Sequence, residues 1–349
     1  MANIEILKAL HGDAFILHCK KDSSKGIVVV DGGPNKDSKK IVEKFDQLCI
    51  IDLMILTHYD DDHIGGILKF VREHANDMPF PVKEMWLNCA YDIPMNGSSD
   101  ISFKQAQKLA DNLKKINTNL IANDVQPIIW KSPIIAGMNK SLPFADFTIV
   151  SPDEETKTIN NQNYSTVVNS NIASSHKRQD EAISTPLNIL ALNKTVIQPN
   201  SKQEIVNLSS IAFVISCDNF QALMLGDCYP QTIIDSLKKL GYSSDNPLKI
   251  DYVKVSHHGS RNNISCDMLD MIDCQNYLIS TNGGSGASIH PDRETIAKIV
   301  CHKSRNINQK LHFYFNYPLK CIEERGYKFI NDEEPEKYNF ELHDDIQSL

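Results

Sequence analysis

The chain has 349 residues, of which 41% are hydrophobic and 23% are charged. This length allows one large α/β domain or two smaller ones, and the composition is that of a globular protein rather than a disordered one. The formal net charge of −8 argues against a protein that coats nucleic acid through clustered Lys and Arg, although it leaves room for a local basic cleft.

Neither secretion nor membrane insertion is indicated. The N-terminal segment MANIEILKALHGD lacks the basic start and long apolar core of a secretory signal, and no apolar run approaches the roughly 20 residues of a membrane-spanning helix. The 9 cysteines are scattered without a C-x-x-C pair, which indicates reduced thiols. We therefore expect a cytoplasmic protein with no membrane partner.

The N-terminal third alternates strands and helices. Strands are predicted where Ile, Val and Leu cluster between turn residues, in NIEILKAL, AFILHC, GIVVVD, DLMILT and KEMWLN. Helices are predicted where apolar residues recur at helical spacing, in SKKIVEKFDQL, IGGILKFVREHA and SFKQAQKLADNLKKI.

The composition then changes, because residues 151–182 are polar and rich in Asn and Ser. We interpret this stretch as an exposed loop within an insertion at about 90–204, inside a single domain spanning 1–330. A protein partner could bind the insertion. The later half resumes the alternation, with a hairpin in IAFVISC and FQALMLGD, strands in KIDYVKVS, QNYLIST and LHFYFN, and Pro-initiated helices in PQTIIDSLKKLG and PDRETIAKIVC. Residues 331–349 are predicted to be an acidic C-terminal tail.

Three predicted strands end in side chains that bind divalent metals. They are His58, Asp60, Asp62 and His63 after the first strand, Asp227 after the second, and His257 and His258 after the third. A sheet fixes the backbone at such ends while the following loops aim side chains into a shared cleft. Imidazoles suit Zn, Mn or Fe, and carboxylates shift the preference towards harder ions.

Each of these residues also has a simpler interpretation when it is taken alone. An Asp after a strand, such as Asp227, usually caps a helix or turn, and a single His near a core is usually satisfied by hydrogen bonds. The run from His58 to His63 is different, because four polar groups at the end of an apolar strand would lose solvation without gaining a partner. The sequence therefore predicts a metal site there.

The motif LTHYDDDHIGG resembles the H-x-H-x-D-H signature of the metallo-β-lactamase superfamily, with Asp60 in place of the second His. The variant H-x-D-x-D-H-x-G-G is typical of the metallo-hydrolase domain of ComEC-type competence proteins. EILKALHGDAFIL, IVVVDGGP, NLSSIAFVISCDNFQALMLGD, DYVKVSHHGSRNNIS and STNGGSGASIHP resemble further elements of that group, in the same order. The resemblance implies an α/β fold, a four-layer αββα sandwich with the metals at the open edge between two sheets.

The resemblance assigns His58 and Asp60 to a first metal. The superfamily usually adds a His from the segment before L-x-G-D, but here that segment reads IVNLSSIAF and contains none. Asn207 or Ser209 stands nearby, as in the ComEC-like group. The first position is therefore poorer in nitrogen ligands, and we expect one or two ions, with Mn²⁺ at least as suitable as Zn²⁺.

The resemblance assigns Asp62 and His63 to a second metal, with Asp227 bridging the two ions. One imidazole of the HHGS segment would complete this position. His257 is favoured because it follows the strand directly, and His258 is the other ligand candidate or a catalytic substrate contact.

Five further residues are expected around the centre. Asp31 and Asp13 would orient metal-bound imidazoles, although each could equally form a turn. Ser260 and Arg261 follow the double His, and Arg261 could hold a phosphate oxygen. His290 ends a Gly-rich loop and is either a proton donor to substrate or a surface residue.

The predicted activity is metal-assisted hydrolysis, with Asp62 as the proton acceptor. The ComEC-like resemblance implies a phosphodiesterase or nuclease, acting on DNA, RNA or a small nucleotide. Two alternatives stay open: an ester, thioester or lactam hydrolase of the same fold, and a non-catalytic binding module with a degenerate metal site.

Overall fold

The computed structural model describes residues 4–88, 101–154, 183–194, 206–284, 289–325 and 328–349, with only the backbone of 101–103. Strands and helices are numbered below in chain order. Most of the predicted polar loop, residues 155–182, lies outside the described residues, as do parts of the predicted insertion.

The first sheet has six strands in the order β1-β2-β3-β4-β5-β6. Their bounds are Ile4–Ile6, Phe15–Lys21, Ser24–Val30, Ile51–Ile55, Val82–Trp86 and Ile129–Lys131. The first three strands are antiparallel, and β3 to β6 are parallel. The carboxyl ends of β3 and β4 therefore lie side by side at one edge of the sheet.

The second sheet has eight strands in the order β16-β15-β14-β12-β10-β9-β8-β7. In chain order these are β7 Asn139–Leu142, β8 Ala145–Ser151, β9 Ala212–Cys217, β10 Phe220–Met224, β12 Tyr252–Lys254, β14 Asn276–Ile279, β15 Leu311–Phe315 and β16 Phe340–His343. A separate pair consists of β11 Leu248–Lys249 and β13 Ile272–Asp273. Because β10, β12 and β14 are parallel, their carboxyl ends also share one edge.

Helices cover the outer face of each sheet. The described helices are α1 Ser38–Asp46, α2 Asp61–Glu73, α3 Ile101–Ala122, α4 Leu187–Leu190, α5 Pro230–Lys239, α6 Cys266–Leu269, α7 Arg293–Val300, α8 Leu319–Arg325 and α9 Glu334–Lys337. None of the described helices is both long and apolar enough to cross a membrane.

Three apolar clusters define four layers. Phe15 and Trp86 of the first sheet share one cluster with Phe147 and Phe213 of the second, and the Trp86 and Phe147 rings are 5.0 Å apart. A second cluster joins α1, α2 and α3 to the outer face of the first sheet, and a third joins α5, α6 and α7 to that of the second. The predicted αββα sandwich is confirmed by this layering.

Two segments differ from their expected place. Within the predicted insertion, α3 packs on the first sheet, β6 extends that sheet, and β7 and β8 extend the second. The predicted C-terminal tail contains β16, which pairs with β15 and buries Phe340. Within this acidic segment, the alternate residues Phe340 and Leu342 are apolar and pack against the core on the outer face of the second sheet.

Candidate metal centre

The loop between β4 and α2, together with the first turn of that helix, carries the four side chains of the predicted motif. His58 and His63 are fully buried side chains, and the Asp60 side chain is almost buried. Asp60 has an extended backbone at the N-terminus of α2, where its carbonyl accepts the amides of His63 and Ile64 at 2.9 and 3.0 Å. The helix start therefore fixes where His63 points.

Asp227 brings the two sheets together at this edge. It follows β10 after Gly226, whose φ of +50° lies in the left-handed region where a side chain is disfavoured. The Asp227 Oδ2 atom lies 3.4 Å from His63 Nε2, 3.8 Å from His58 Nε2 and 3.7 Å from His257 Nε2. One carboxylate oxygen is thus shared by imidazoles from both sheets.

The double histidine after β12 has a strained backbone. His257 and His258 have φ values of +48° and +55°, which few non-glycine residues adopt. Such strain persists where the surrounding structure imposes it, and it is common at functional sites. The two rings consequently leave the strand in different directions, with centroids 5.9 Å apart.

His258 is the imidazole that approaches the motif carboxylate Asp62. Its Nε2 atom lies 3.3 Å from Asp62 Oδ2, and Asp62, His63 and His258 offer ligand atoms within 4.8 Å of one another. The sequence favoured His257 for this position. The structure instead puts His257 beside Asp227, with 28% of its side chain exposed.

Outward hydrogen bonds fix the tautomers of His63 and His258. His63 donates from Nδ1 to Asp31 Oδ2 at 2.8 Å, and His258 donates from Nδ1 to the Ser280 carbonyl at 2.9 Å. Because both acceptors lack a proton to give, each Nδ1 carries the hydrogen. The Nε2 atoms therefore face the centre, as in metal sites where an outer partner orients the ligand.

The tautomers of His58 and His257 follow from the other hydrogen bonds that Thr57 and Asn263, their hydrogen-bond partners, make. Thr57 donates its hydroxyl proton to Asp31 Oδ2, so its Oγ1 accepts from His58 Nδ1 at 3.0 Å. The Asn263 amide donates to the carbonyls of Asp227 and Cys228, so its Oδ1 accepts from His257 Nδ1 at 3.0 Å. Both Nε2 atoms are left with a lone pair.

A divalent cation fits this arrangement. The buried Nε2 atoms of His58 and His63 have no hydrogen-bond partner among the described residues, and buried polar atoms of native proteins rarely lack one. Four imidazole nitrogens and the carboxylates of Asp60, Asp62 and Asp227 form a mixed nitrogen and oxygen donor set. That set suits Zn²⁺ and Mn²⁺.

Neighbouring carboxylates raise the pKa of two imidazoles of the centre. Burial lowers the pKa of His63, but Asp227 and Asp31 outweigh it and raise that pKa well above its usual value. Burial also lowers the pKa of His258, but the Asp13 and Asp62 carboxylates outweigh it and raise that pKa to about 10. Burial raises the pKa of Asp62, and the His63 and His258 charges lower it further than burial raises it. A divalent cation would take the place of these protons.

His257 behaves differently from the other buried imidazoles. Burial lowers its pKa to about 4, and the nearby Asp227 carboxylate only partly opposes this. His257 is therefore neutral at pH 7, with its Nε2 lone pair available.

A buried ion pair lies next to the centre. Lys254 and Asp13 are both 1% exposed and form a salt bridge, and the Lys254 Nζ atom also donates to the Gly226 carbonyl at 2.9 Å. Burial lowers the pKa of Lys254, but Asp13 and Asp227 outweigh it and raise that pKa. The predicted orienting role of Asp13 is thus joined to a lysine that the sequence did not pair with it.

The remaining predicted residues lie at varying distance from the centre. His290 contacts His257, with ring centroids 5.4 Å apart, and its Nδ1 atom is 3.5 Å from Asp292. Ser260 caps a short 3₁₀ helix by accepting the Asn262 amide. Arg261 is partly exposed, and its backbone amide donates to Asp292.

Asn207 is buried in the segment before β9. Its carbonyl accepts the Ser210 amide, and Ser210 Oγ accepts the Asp227 amide at 3.0 Å and lies 3.5 Å from His58 Nδ1. Ser210 of this segment therefore contacts residues of the centre, and the buried Asn207 Oδ1 atom has no hydrogen-bond partner among the described residues.

Sequence reasoning missed Thr57, Asn263, Ser280 and Ser210. Each forms a hydrogen bond that positions an imidazole of the centre or Asp227. Thr57 could have been found, because it precedes His58 within the motif. Ser280 could not, because it acts through a backbone carbonyl that any residue would supply.

Residues 10–77 match the model of the metallo-beta-lactamase superfamily. The match covers about a fifth of the chain, contains the His58–His63 motif and supports placement in that superfamily. It does not distinguish the ComEC-like group. No curated protein matched the chain.

Solved structures of the same superfamily resemble the chain weakly. The metallo-beta-lactamase fold protein YhfI from Bacillus subtilis has a TM-score of 0.40 and 10% identity, covering 99% of this chain and 96% of its own. The metallo-beta-lactamase GOB-18 from Elizabethkingia meningoseptica has a TM-score of 0.34 and 11% identity, covering 77% and 82%. At these scores the fold assignment depends on the chain's own layers.

Proposed function

We propose that the chain is a metal-dependent hydrolase that cleaves phosphodiester bonds in DNA, RNA or a small nucleotide. The observation that carries the proposal is the convergence of four imidazole Nε2 atoms on three carboxylates at one sheet edge. Asp62, His63 and His258 would hold one divalent ion. His58 and Asp60 would hold a second, with Asp227 shared and His257 beside it.

Bound divalent ions supply Lewis acidity and activate water near neutral pH. The Asp62 side chain is 24% exposed, so it can accept the proton of an attacking water from the solvent side. His290 is 16% exposed beside His257. It is our candidate for the donor of a proton to the leaving oxygen, and its Nδ1 atom lies 3.5 Å from Asp292.

Two features favour phosphate over a carbonyl substrate. Asp60 stands where the superfamily motif has a second His, so the donor set is richer in oxygen and accepts Mn²⁺ as readily as Zn²⁺. Arg261 follows the double His on the same loop, where a guanidinium can bind a phosphate oxygen. The ComEC-like motif order supports the same choice.

A non-catalytic binding module is the second candidate. It is favoured by the missing third His of the first position, where the chain has Asn207. The retained ligands argue against it. A site that had lost its function would be expected to lose ligands at random, yet Asp62, His63, Asp227 and both imidazoles of the HHGS segment are all present and in contact.

The test is hydrolysis by the purified chain, loaded in turn with Mn²⁺, Zn²⁺ and Mg²⁺. The substrates would be bis-p-nitrophenyl phosphate, single- and double-stranded DNA, RNA and dinucleotides, with nitrocefin, an ester and a thioester as rivals. We expect turnover of phosphodiesters that Asp62→Ala and His63→Ala reduce by at least 100-fold.

The matched control is Asp61→Ala, the neighbouring carboxylate of the same DDD run. Asp61 accepts from Gln105 at 2.7 Å instead of facing the centre, so its variant should retain activity. Cleavage unchanged by Asp62→Ala would identify a contaminant, and preferred turnover of nitrocefin or an ester would replace the phosphodiester assignment.

A further inference from the structure

A second group of imidazole and carboxylate side chains lies on β15 and β16, at the far edge of the second sheet. His312 pairs with Glu341, and Tyr314 pairs with His343 two positions further along. Because alternate residues of a strand share a face, His312, Glu341 and His343 point to the same side. Residues on the opposite side of these strands, such as Phe313, are buried against the helices that cover the second sheet.

The ligand atoms of this group are close together. His312 Nδ1 lies 3.0 Å from His343 Nε2 and 3.9 Å from Glu341 Oε2, and the three ligand atoms all lie within 4.8 Å of one another. Zinc–nitrogen bonds of 2.0–2.1 Å in a tetrahedral site separate two nitrogens by about 3.3 Å. Only a small movement would therefore open room for an ion.

Ring stacking holds the two imidazoles in this orientation. The His312 and His343 rings are 5.2 Å apart at 28°, and Tyr314 stacks on His343 at 4.7 Å and 14°. Preorganised ligands lose less conformational freedom when they bind a metal. The pair is also reachable from solvent, because the His312 side chain is 29% exposed and Glu341 is 48% exposed.

We propose that His312, His343 and Glu341 bind one transition-metal cation of the Zn²⁺ class, with a fourth position open to water. Two imidazoles and a carboxylate are a donor set that such ions prefer over Mg²⁺ or Ca²⁺. The ion would fasten the edge strand β16 to β15. This site does not depend on the hydrolase proposed above.

The site is separate from the catalytic centre. Asn316, which follows β15 and lies four residues beyond His312, reaches the centre's periphery by donating to Ser280 Oγ at 3.2 Å. Four residues of strand span roughly 13 Å, so His312 shares no ligand with the double histidine.

The rival interpretation is a simple hydrogen bond between the two imidazoles. At 3.0 Å one ring donates a proton to the other. Binding an ion through both atoms requires that proton to move to the donor ring's other nitrogen. The donor ring thus changes from one neutral tautomer to the other, and its net charge stays the same.

The experiment measures zinc binding in a full-length chain whose candidate metal centre is disabled at both positions by His58→Ala, His63→Ala and Asp227→Ala. Equilibrium dialysis with Zn²⁺ alone, followed by elemental analysis, should find one retained zinc per chain. Adding His312→Ala or His343→Ala should weaken this binding at least 10-fold, and Glu341→Gln should weaken it less. The control is His18→Ala, because His18 pairs with Glu5 at 2.6 Å as a single imidazole on neighbouring strands.

No retained zinc in the disabled background would overturn the proposal, as would retained zinc that His312→Ala and His343→Ala leave unchanged. If the disabled background does not fold, His312→Ala is made in the native chain. There it should lower the bound zinc by one equivalent, and an unchanged zinc count would overturn the proposal equally.

Discussion

His63 Nδ1 lies 2.8 Å from Asp31 Oδ2, with both side chains essentially excluded from solvent. The same Asp31 carboxylate accepts the Thr57 amide and hydroxyl, both at 2.8 Å. Through Thr57 it also orients His58. One carboxylate at the end of β3 therefore sets the rings of two candidate ligands at the end of β4.

Replacing Asp31 should weaken metal binding without removing a ligand. Asp31→Asn keeps the shape and tolerates the φ of +59° found here, but it loses the charge that fixes His63. Losing such an outer partner typically costs 10- to 100-fold in metal affinity, and we expect a fall in that range by metal titration. Asp52→Asn is the matched control, since Asp52 binds the Ile27 amide and Lys83 on the same sheet. Equal effects of the two variants would contradict the orienting role.

The two imidazoles of the HHGS segment should differ in their contribution to metal affinity. His258 is buried beside Asp62 and His63, whereas His257 is partly exposed beside Asp227. We expect His258→Ala to lose at least 10-fold more affinity for the tighter ion than His257→Ala, measured by competition with a chelating dye. A larger loss in His257→Ala would restore the ligand assignment that the sequence favoured.

Breaking the Lys254–Asp13 pair should destabilise the fold strongly. Lys254→Met leaves the Asp13 charge buried, and removing one member of a buried pair typically costs about 3–5 kcal/mol. Urea unfolding with a chelator present would measure the free energy of unfolding apart from metal binding. Adding Asp13→Leu should recover part of the loss, because the unpaired charge is then gone.

Lys83→Met is the comparison for this experiment. Lys83 pairs with Asp52 at 2.6 Å but has 61% of its side chain exposed, and exposed pairs contribute about 1 kcal/mol or less. A Lys254→Met loss no larger than that of Lys83→Met would show that the buried pair contributes little.

Cys217 should be alkylated near neutral pH more readily than Cys228 or Cys274. A hydrogen bond from the Cys19 thiol, only partly opposed by burial, lowers the pKa of Cys217 to about 6. Burial raises the pKa of Cys228 and Cys274 to about 12. The thiolate is the reactive form, so iodoacetamide labelling of Cys217, mapped by mass spectrometry, should fall as pH drops below about 6. Cys228 and Cys274 should stay unlabelled at pH 7, and Cys19→Ala, which removes the donor, should move the Cys217 midpoint upward.

The element pattern could be predicted from the sequence because it depends on local periodicity. Apolar clusters between turn residues predicted β3 and β4, and a hairpin pattern predicted β10. Helical spacing predicted α1, and an initial Pro with a final Gly predicted α5. The hairpin turn at Asp218 and Asn219 joins β9 to β10 as expected. By contrast, β16 was not predicted, because it lies in an acidic segment and only Phe340 and Leu342 face the core. Two apolar residues are too few to indicate a strand, and β16 forms by pairing with β15.

For the candidate site, the sequence alone determined which residues to expect at one centre, since His58, Asp62, His63 and Asp227 follow strand ends within recognisable motifs. Only the tertiary structure decided how they meet. The choice between His257 and His258 depends on a left-handed turn, and the ring tautomers depend on Asp31, Asn263 and the Ser280 carbonyl. These contacts join residues far apart in the chain, and local sequence does not encode the direction in which a side chain finds a distant partner.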